Sequence, residues 1–173
     1  MHHIDDHIFH VLRGEIMTLD NKTFLCLGGA CSIDKMYRTP HLSWWPQEEI
    51  TQHDIDNAIC NLEKVNNKVE FVITHCCDTS TVLKAFGFRR DICTDYLMFV
   101  DKVVDYKHWF LGHYHFDRGI NEKKTCLYNQ IIELEDVPNE ETIKAMKEVE
   151  ELERDSTTKK YSSVEELIDY LND

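Results

Sequence analysis

Two apolar segments that end in histidines constrain the fold of this chain most strongly. Residues 109–115 have the sequence WFLGHYH, and residues 69–77 have the sequence VEFVITHCC. Both are predicted as strands, and side chains alternate along a strand with a period of two. His113 and His115 are therefore expected to project from the same side, where two imidazoles can hold a metal ion. The alternative is a surface strand end that carries two ordinary histidines.

The rest of the chain predicts an α/β fold, with a mixed β-sheet and flanking helices. The cap pair Thr51 and Asp54 predicts a helix start, and residues 30–49, with Pro40 and Pro46, predict a long ordered loop. The remaining predicted elements are a hairpin of residues 15–19 and 23–27, helices at 51–65, 79–86 and 95–104, and a final strand at 125–134 that pairs with residues 109–115.

The C-terminal segment differs from the rest in composition and divides the chain in two. Residues 1–135 are predicted to form one domain, and residues 136–173 a pair of acidic helices that packs on it. Asn139 is the predicted N-cap of the first helix, and Ser163 with Glu166 forms a capping box for the second.

Four short motifs occur in the order Gly28-Gly29-Ala30, Trp44-Trp45-Pro46, Thr74-His75 and Gly112-His113-x-His115. Together they resemble the motifs of the calcineurin-like metallophosphoesterases, and the resemblance covers residues 10–134. It implies that the sheet is half of the family's sandwich. The apolar face left by the other half would then be covered by the C-terminal segment, a second copy of the chain or a partner protein.

The resemblance implies metal ligands but also a gap in the catalytic machinery. His75 and His113 match ligands of one metal of the family, and His115 matches a ligand of the other. The family's earlier motifs, Gly-Asp-x-His, Gly-Asp and Gly-Asn-His-Glu, are not found in this sequence. Two-metal hydrolysis uses ions about 4 Å apart, and the carboxylate that bridges them has no counterpart here. The expectation is a protein that is not a working phosphoesterase.

Three further side chains extend the predicted metal site. Cys76 and Cys77 follow His75 directly, and His10 lies in the segment before the hairpin. Nitrogen and sulfur ligands favour Zn²⁺, with Mn²⁺ as the alternative ion. A closed set of four ligands would be structural, whereas three ligands and a water would permit hydrolysis. The alternative is that one of these cysteines is a buried core residue and the other is incidental.

The loop at residues 30–49 supplies a second candidate site. In the resembling branch of the family this loop lies near the substrate, so it is predicted as a former substrate site or a partner site. A lysine and an arginine could hold phosphate beside a wall of tryptophans. The alternative is that the tryptophans anchor the loop to the sheet. The residues concerned are Asp34, Lys35, Arg38, Trp44 and Trp45.

Charge and length limit the classes of function. The chain has 173 residues with 32 acidic and 19 basic side chains, a formal net charge of −13. Nucleic acid is not expected as a direct ligand, because binding to phosphates requires a basic patch. No apolar run is long enough to span a membrane, and no signal peptide is recognisable, so a cytoplasmic protein without disulfides is expected, in a host cell if it is phage-encoded. An acidic protein suits a partner with a basic surface.

Two functional classes follow. The favoured one is a non-enzymatic, metal-binding inhibitor of a basic, nucleic-acid-handling protein. In size and charge it is similar to some anti-CRISPR proteins, which would hinder target loading by an RNA-guided nuclease. The alternative is a metal-dependent phosphoesterase with an incomplete site, or with a site completed by a second copy in a homo-oligomer.

Overall fold

A computed structural model describes residues 2–32, 34–87 and 89–134, together with residues 144, 148 and 151. Short 3₁₀ turns at Lys35–Tyr37 and Pro46–Glu48 lie in the long loop. The strands are β1 (His2–Asp5), β2 (Ile8–His10), β3 (Glu15–Leu19), β4 (Lys22–Leu27), β5 (Phe71–Thr74), β6 (His108–Leu111), β7 (Arg118–Asn121) and β8 (Lys124–Cys126). The helices are α1 (Gln52–Lys64), α2 (Thr79–Thr81), which continues as one wide π-type turn to Phe86, and α3 (Ile92–Val103).

A six-stranded mixed sheet organises the molecule, in the order β3-β4-β5-β6-β8-β7. The pairs β4/β5, β5/β6 and β6/β8 are parallel, whereas the outer pairs β3/β4 and β7/β8 are antiparallel. β1 and β2 form a separate two-stranded hairpin. Because parallel neighbours run in the same direction, the loops that follow β4, β5, β6 and β8 emerge at one edge of the sheet. The predicted α/β class with a mixed sheet is confirmed.

Alternating side chains give the sheet two apolar faces. Residues in register, such as Leu25 and Val72, belong to one continuous core with Trp109 and helix residues such as Leu97, and all four are fully buried. The opposite face carries Phe24, Phe71 and Phe110, which are also buried, with successive ring centroids 5.2 and 6.0 Å apart. Apolar residues on both faces are typical of strands in a parallel sheet.

Several predicted elements are confirmed and others are wrong. The hairpin turn at Asp20 and Asn21, α1 with its capping box, and the helix that ends at Gly87 in a left-handed conformation all occur as expected. α3 begins three residues before the predicted start, because Asp91 caps it through the amide of Thr94. The strand predicted at 125–134 pairs with β6 but is only three residues long, and β7 was not predicted.

An ion network that the sequence did not predict lies inside the core. The ammonium group of Lys124 is 2.6 Å from a carboxylate oxygen of Asp78 and 2.8 Å from one of Asp101. The side chains of Lys124 and Asp78 are 5% and 0% exposed. Ser80 and Thr81 also donate hydrogen bonds to Asp78, at 2.6 Å each. The network links the loop after β5 to α3 and β8.

The chain divides into two compact units, Met1–Leu134 and Glu135–Asp173. The helical pair predicted for residues 136–173 lies almost entirely outside the described residues. Within the part of the chain that is described, no helix has the length and apolar character needed to cross a membrane.

Candidate functional site

The predicted histidines meet at the edge where the parallel strands end. His75 is the first residue after β5, and His113 comes two residues after β6. The amide of Gly112 donates a hydrogen bond to the carbonyl oxygen of His75, at 3.0 Å, and so fixes the two loops side by side. Sequence reasoning placed both residues at strand ends, and the parallel pairing of β5 with β6 brings them together.

His75 and His113 form a close pair. Nδ1 of His113 lies 3.1 Å from Nε2 of His75, and the ring centroids are 4.8 Å apart. Two nitrogens bound to one zinc at about 2.0–2.1 Å, with a tetrahedral angle between them, would lie about 3.3 Å apart. Burial lowers the pKa of both imidazoles, and the neighbouring histidines lower it further. Both rings are therefore neutral at neutral pH, which is the form that binds a metal ion.

The route by which His113 and His115 reach the site differs from the prediction. β6 ends at Leu111, and the backbone then turns, with φ angles of +69° at His113 and +56° at His115. The argument from strand alternation is therefore wrong, although both side chains line the same groove. A left-handed conformation at residues with a Cβ is uncommon and costs conformational energy. Here it aims His113 at His75.

His115 lies beside this pair and not within it. Its ring stacks on Tyr128, with centroids 5.0 Å apart. The loop that carries Tyr128 is fixed by Asp117, whose carboxylate accepts hydrogen bonds from the amides of residues 128–130 at 2.6–3.1 Å. These backbone hydrogen bonds lower the pKa of Asp117. His115 is thus held on the wall of the groove, near the pair.

Three charged side chains line a groove with the histidines, and only one of them was a candidate in the sequence. A groove of about 540 Å³ is lined by all three histidines together with Arg13, Arg38 and Glu48. Arg38 was a candidate, whereas Glu48 was not. The negative charge of Glu48 acts to raise the pKa of His75, which places this carboxylate near the pair. Glu48 also accepts a hydrogen bond from the hydroxyl of Ser32, at 3.1 Å. No local pattern signals it, because it comes from the long loop.

Arg13 has a structural position in this groove. Its guanidinium donates to the carbonyl oxygens of Gln47 and Glu49, at 2.8 and 2.9 Å. It therefore holds the segment that carries Glu48 against the sheet.

The other predicted ligands are not brought to the histidine pair. Cys76 is buried, its thiol lies 3.3 Å from the carbonyl oxygen of Gly29, and it lines an adjoining cavity. Cys77 is fully buried and its thiol contacts the hydroxyl of Tyr114, at 3.4 Å. Burial raises the pKa of Cys77 to about 12, so it is a neutral thiol. His10 is exposed on β2, opposite His2, and does not line the groove.

Besides Glu48, the long loop contributes Arg38 to the groove, and two of its other charged side chains form ion pairs. Arg38 lines the groove and pairs with Asp34 at 2.8 Å. Lys35 pairs with Glu49 at 2.6 Å, and its ammonium lies 5.6 Å from the ring centre of Trp44. Trp45 is 45% exposed. The sequence left open that both tryptophans anchor the loop to the sheet. Trp45 is too exposed for that role, so the anchoring role is restricted to the half-buried Trp44.

Comparisons with protein-family models, with curated proteins and with solved structures each returned no match.

Proposed function

We propose that this protein binds a divalent metal ion, with zinc favoured, through His75 and His113, and that the ion and Arg38 together hold a phosphate-bearing ligand in the groove. The single observation that carries this proposal is the 3.1 Å separation of the two neutral imidazole nitrogens. It corresponds to the alternative that the sequence left open, a metal-dependent phosphoesterase with an incomplete site.

The surrounding charges suit such a ligand. A metal ion on two neutral histidines keeps its full positive charge, and Arg38 adds a planar group that matches phosphate oxygens. Glu48 offers a carboxylate oxygen near His75, and His115 offers a third imidazole on the groove wall. With two or three protein ligands, positions remain for water and for a phosphate oxygen. Zinc in such a site can act as a Lewis acid and can lower the pKa of bound water.

Equilibrium dialysis against zinc and manganese, paired with hydrolysis of bis(p-nitrophenyl) phosphate, tests the proposal. Replacing His113 by Asn removes one ligand while tolerating the positive φ angle at that position. We expect this variant to lose one zinc per chain and any metal-stimulated hydrolysis. His53→Asn, an exposed histidine on α1, is the matched control. Equal metal content in His113→Asn and the unaltered protein would refute the proposal. Metal binding without hydrolysis would support the metal site and reject the enzymatic activity.

The second candidate is the non-enzymatic inhibitor of a basic, nucleic-acid-handling protein such as an RNA-guided nuclease. The net charge of −13 favours it, because complementary potential accelerates association and selects partners. Affinity for such a partner should fall steeply between 0.1 M and 1 M salt, as the screening length falls from about 10 Å to about 3 Å. An affinity that salt does not change would reject electrostatic capture.

A further inference from the structure

A second group of potential metal ligands lies beside the histidine groove and consists of Cys31, Asp91 and Cys93. The ligand atoms of these three side chains all lie within 4.8 Å of one another, and they are the one such group of three or more among the described residues. Cys31 follows β4 by four residues, and Asp91 and Cys93 begin α3. None of the three was a candidate ligand in the sequence, because 60 residues separate Cys31 from Asp91.

The distances suit a metal centre better than a disulfide. The two sulfur atoms are 3.5 Å apart. A disulfide requires about 2.05 Å, whereas two thiolates on one zinc, at about 2.3 Å each and a tetrahedral angle, lie about 3.8 Å apart. A shift of a few tenths of an ångström therefore gives zinc geometry, and closing the bond requires a shift of about 1.5 Å.

The surroundings of Cys93 can support a metal-bound sulfur, and the charge of a bound cation would offset the burial that raises the pKa of both thiols. Cys93 is fully buried in the first turn of α3, where the amide groups and the helix dipole stabilise negative charge. The amide of Ile50 donates a hydrogen bond to its sulfur, at 3.5 Å. Hydrogen bonds of this kind commonly support metal-bound sulfur. Asp91 uses one carboxylate oxygen to cap the helix through Thr94, at 3.0 Å, which leaves its other oxygen for an ion.

The site is also accessible to an ion. Cys31 and Asp91 line a cavity of about 260 Å³ that adjoins the histidine groove, and Arg89 and Cys76 line it as well. Water in this cavity can supply a fourth ligand to zinc.

We propose that Cys31, Asp91 and Cys93 form a zinc site that is separate from the histidine pair. Two sulfur ligands select zinc over magnesium and manganese, which prefer oxygen. The ion would join the loop after β4 to the start of α3 and so hold one wall of the groove in place. Its role is structural, and it does not depend on the proposed function of the histidine pair.

Cobalt spectroscopy separates the two sites, because a thiolate bound to Co²⁺ gives a near-ultraviolet charge-transfer band that imidazole does not give. The full chain, fully reduced, is titrated with Co²⁺ and its zinc content is measured after equilibrium dialysis. We expect the band in the unaltered protein and in His75→Asn/His113→Asn. We expect both Cys31→Ser and Cys93→Ser to lack the band and to bind one zinc per chain fewer than the unaltered protein. Cys26→Ser, a partly buried cysteine on β4, is the matched control.

Several results would overturn the proposal. They are an unaltered protein without the band, a Cys31→Ser variant that keeps both the band and its full zinc content, or a Cys31–Cys93 disulfide found by mass spectrometry in the protein purified without reductant. Cys31 is only partly buried, so its replacement by serine is expected to leave the circular dichroism spectrum unchanged. If the histidine proposal alone fails, the unaltered protein binds one zinc and Cys31→Ser binds none.

Discussion

At the scale of single residues, Lys124 places a positive charge inside the core. Its ammonium is buried between Asp78 and Asp101 and lies 4.8 Å from the ring centre of Trp109. Removing one partner of a buried ion pair leaves an uncompensated charge, which typically costs about 3–5 kcal/mol. Nothing in the local sequence distinguished Lys124 from Lys123, although only the latter is exposed.

Replacing Lys124 by Met keeps the apolar stem of the side chain but removes its charge, which leaves the buried carboxylate of Asp78 without a counter-ion. The protein should therefore be destabilised by about 3–5 kcal/mol. Urea unfolding followed by circular dichroism measures the change. Lys123→Met is the control and should change the free energy of unfolding by less than about 0.5 kcal/mol. A loss below about 1 kcal/mol in Lys124→Met would mean that water reaches Asp78.

The same network predicts an acid-sensitive step in stability. Burial alone would raise the pKa of Asp78, but hydrogen bonds from Lys124, Ser80 and Thr81 outweigh it and bring the pKa down to about 2. A carboxyl group with a lowered pKa in the folded state stabilises the protein above its ordinary pKa of about 3.9. That contribution, about 2 kcal/mol, should be lost as the pH falls from about 4 towards 2.

Urea unfolding of the unaltered protein and of Asp78→Asn, repeated from pH 5 downwards, tests this. The difference in the free energy of unfolding between the two proteins should shrink as the pH falls below 4. A difference that stays constant with pH would show that Asp78 does not titrate in this range.

At the scale of elements, Gly14 fixes the contact between the first hairpin of the sheet and α1. Its φ angle is +83°, and a Cβ there would lie 2.5 Å from the backbone nitrogen of Ala58. Its amide also donates to the carbonyl oxygen of Cys26, at 2.8 Å. A larger residue would push the helix away from the strands.

Gly14→Ala should therefore destabilise the protein by at least about 2 kcal/mol, since about 1–2 kcal/mol arises from the left-handed backbone alone. Gly119→Ala is the matched control, because a Cβ at Gly119 meets nothing within 4 Å. Thermal unfolding of both variants provides the measurement. Equal midpoints for the two variants would contradict the close contact with α1.

Elements with strong local signals could be predicted from the sequence. α1 follows from Thr51, Asp54 and a helical apolar stripe, and the turn after β3 follows from Asp20 and Asn21. The prediction that the last strand reaches residue 134 was wrong. β-branched residues favour strands in general, but beyond Cys126 this segment pairs with no strand among the described residues, and Ile131 is 93% exposed.

The site could be predicted only in part, for a physical reason. His75 and His113 were expected at strand ends, and the parallel pairing of β5 with β6 brings these ends together. The positions of Glu48, Cys31 and Cys93 depend on how the long loop packs against α3, and no periodicity encodes that packing. The left-handed turns at His113 and His115 are likewise set by tertiary contacts and not by alternation.

At the scale of the whole molecule, the two proposed metal sites, the histidine pair and the cluster of Cys31, Asp91 and Cys93, lie in adjoining cavities. Ions that bind only the folded state stabilise it by about 2.7 kcal/mol each at a free concentration 100 times the dissociation constant. Dialysis against EDTA should therefore lower the urea midpoint, and Cys31→Ser should reduce the size of this effect. An unchanged midpoint after EDTA would argue against both sites.

The ion network also has a consequence for synthesis of the chain. Asp78 precedes Lys124 by 46 residues. At about 5–20 residues per second, the ribosome makes the carboxylate about 2–9 seconds before its counter-ion. Burying Asp78 without its counter-ion is costly, so we expect β5 and α3 to pack fully only after β8 has been made. The last strand of the sheet to be translated therefore decides when the core can close.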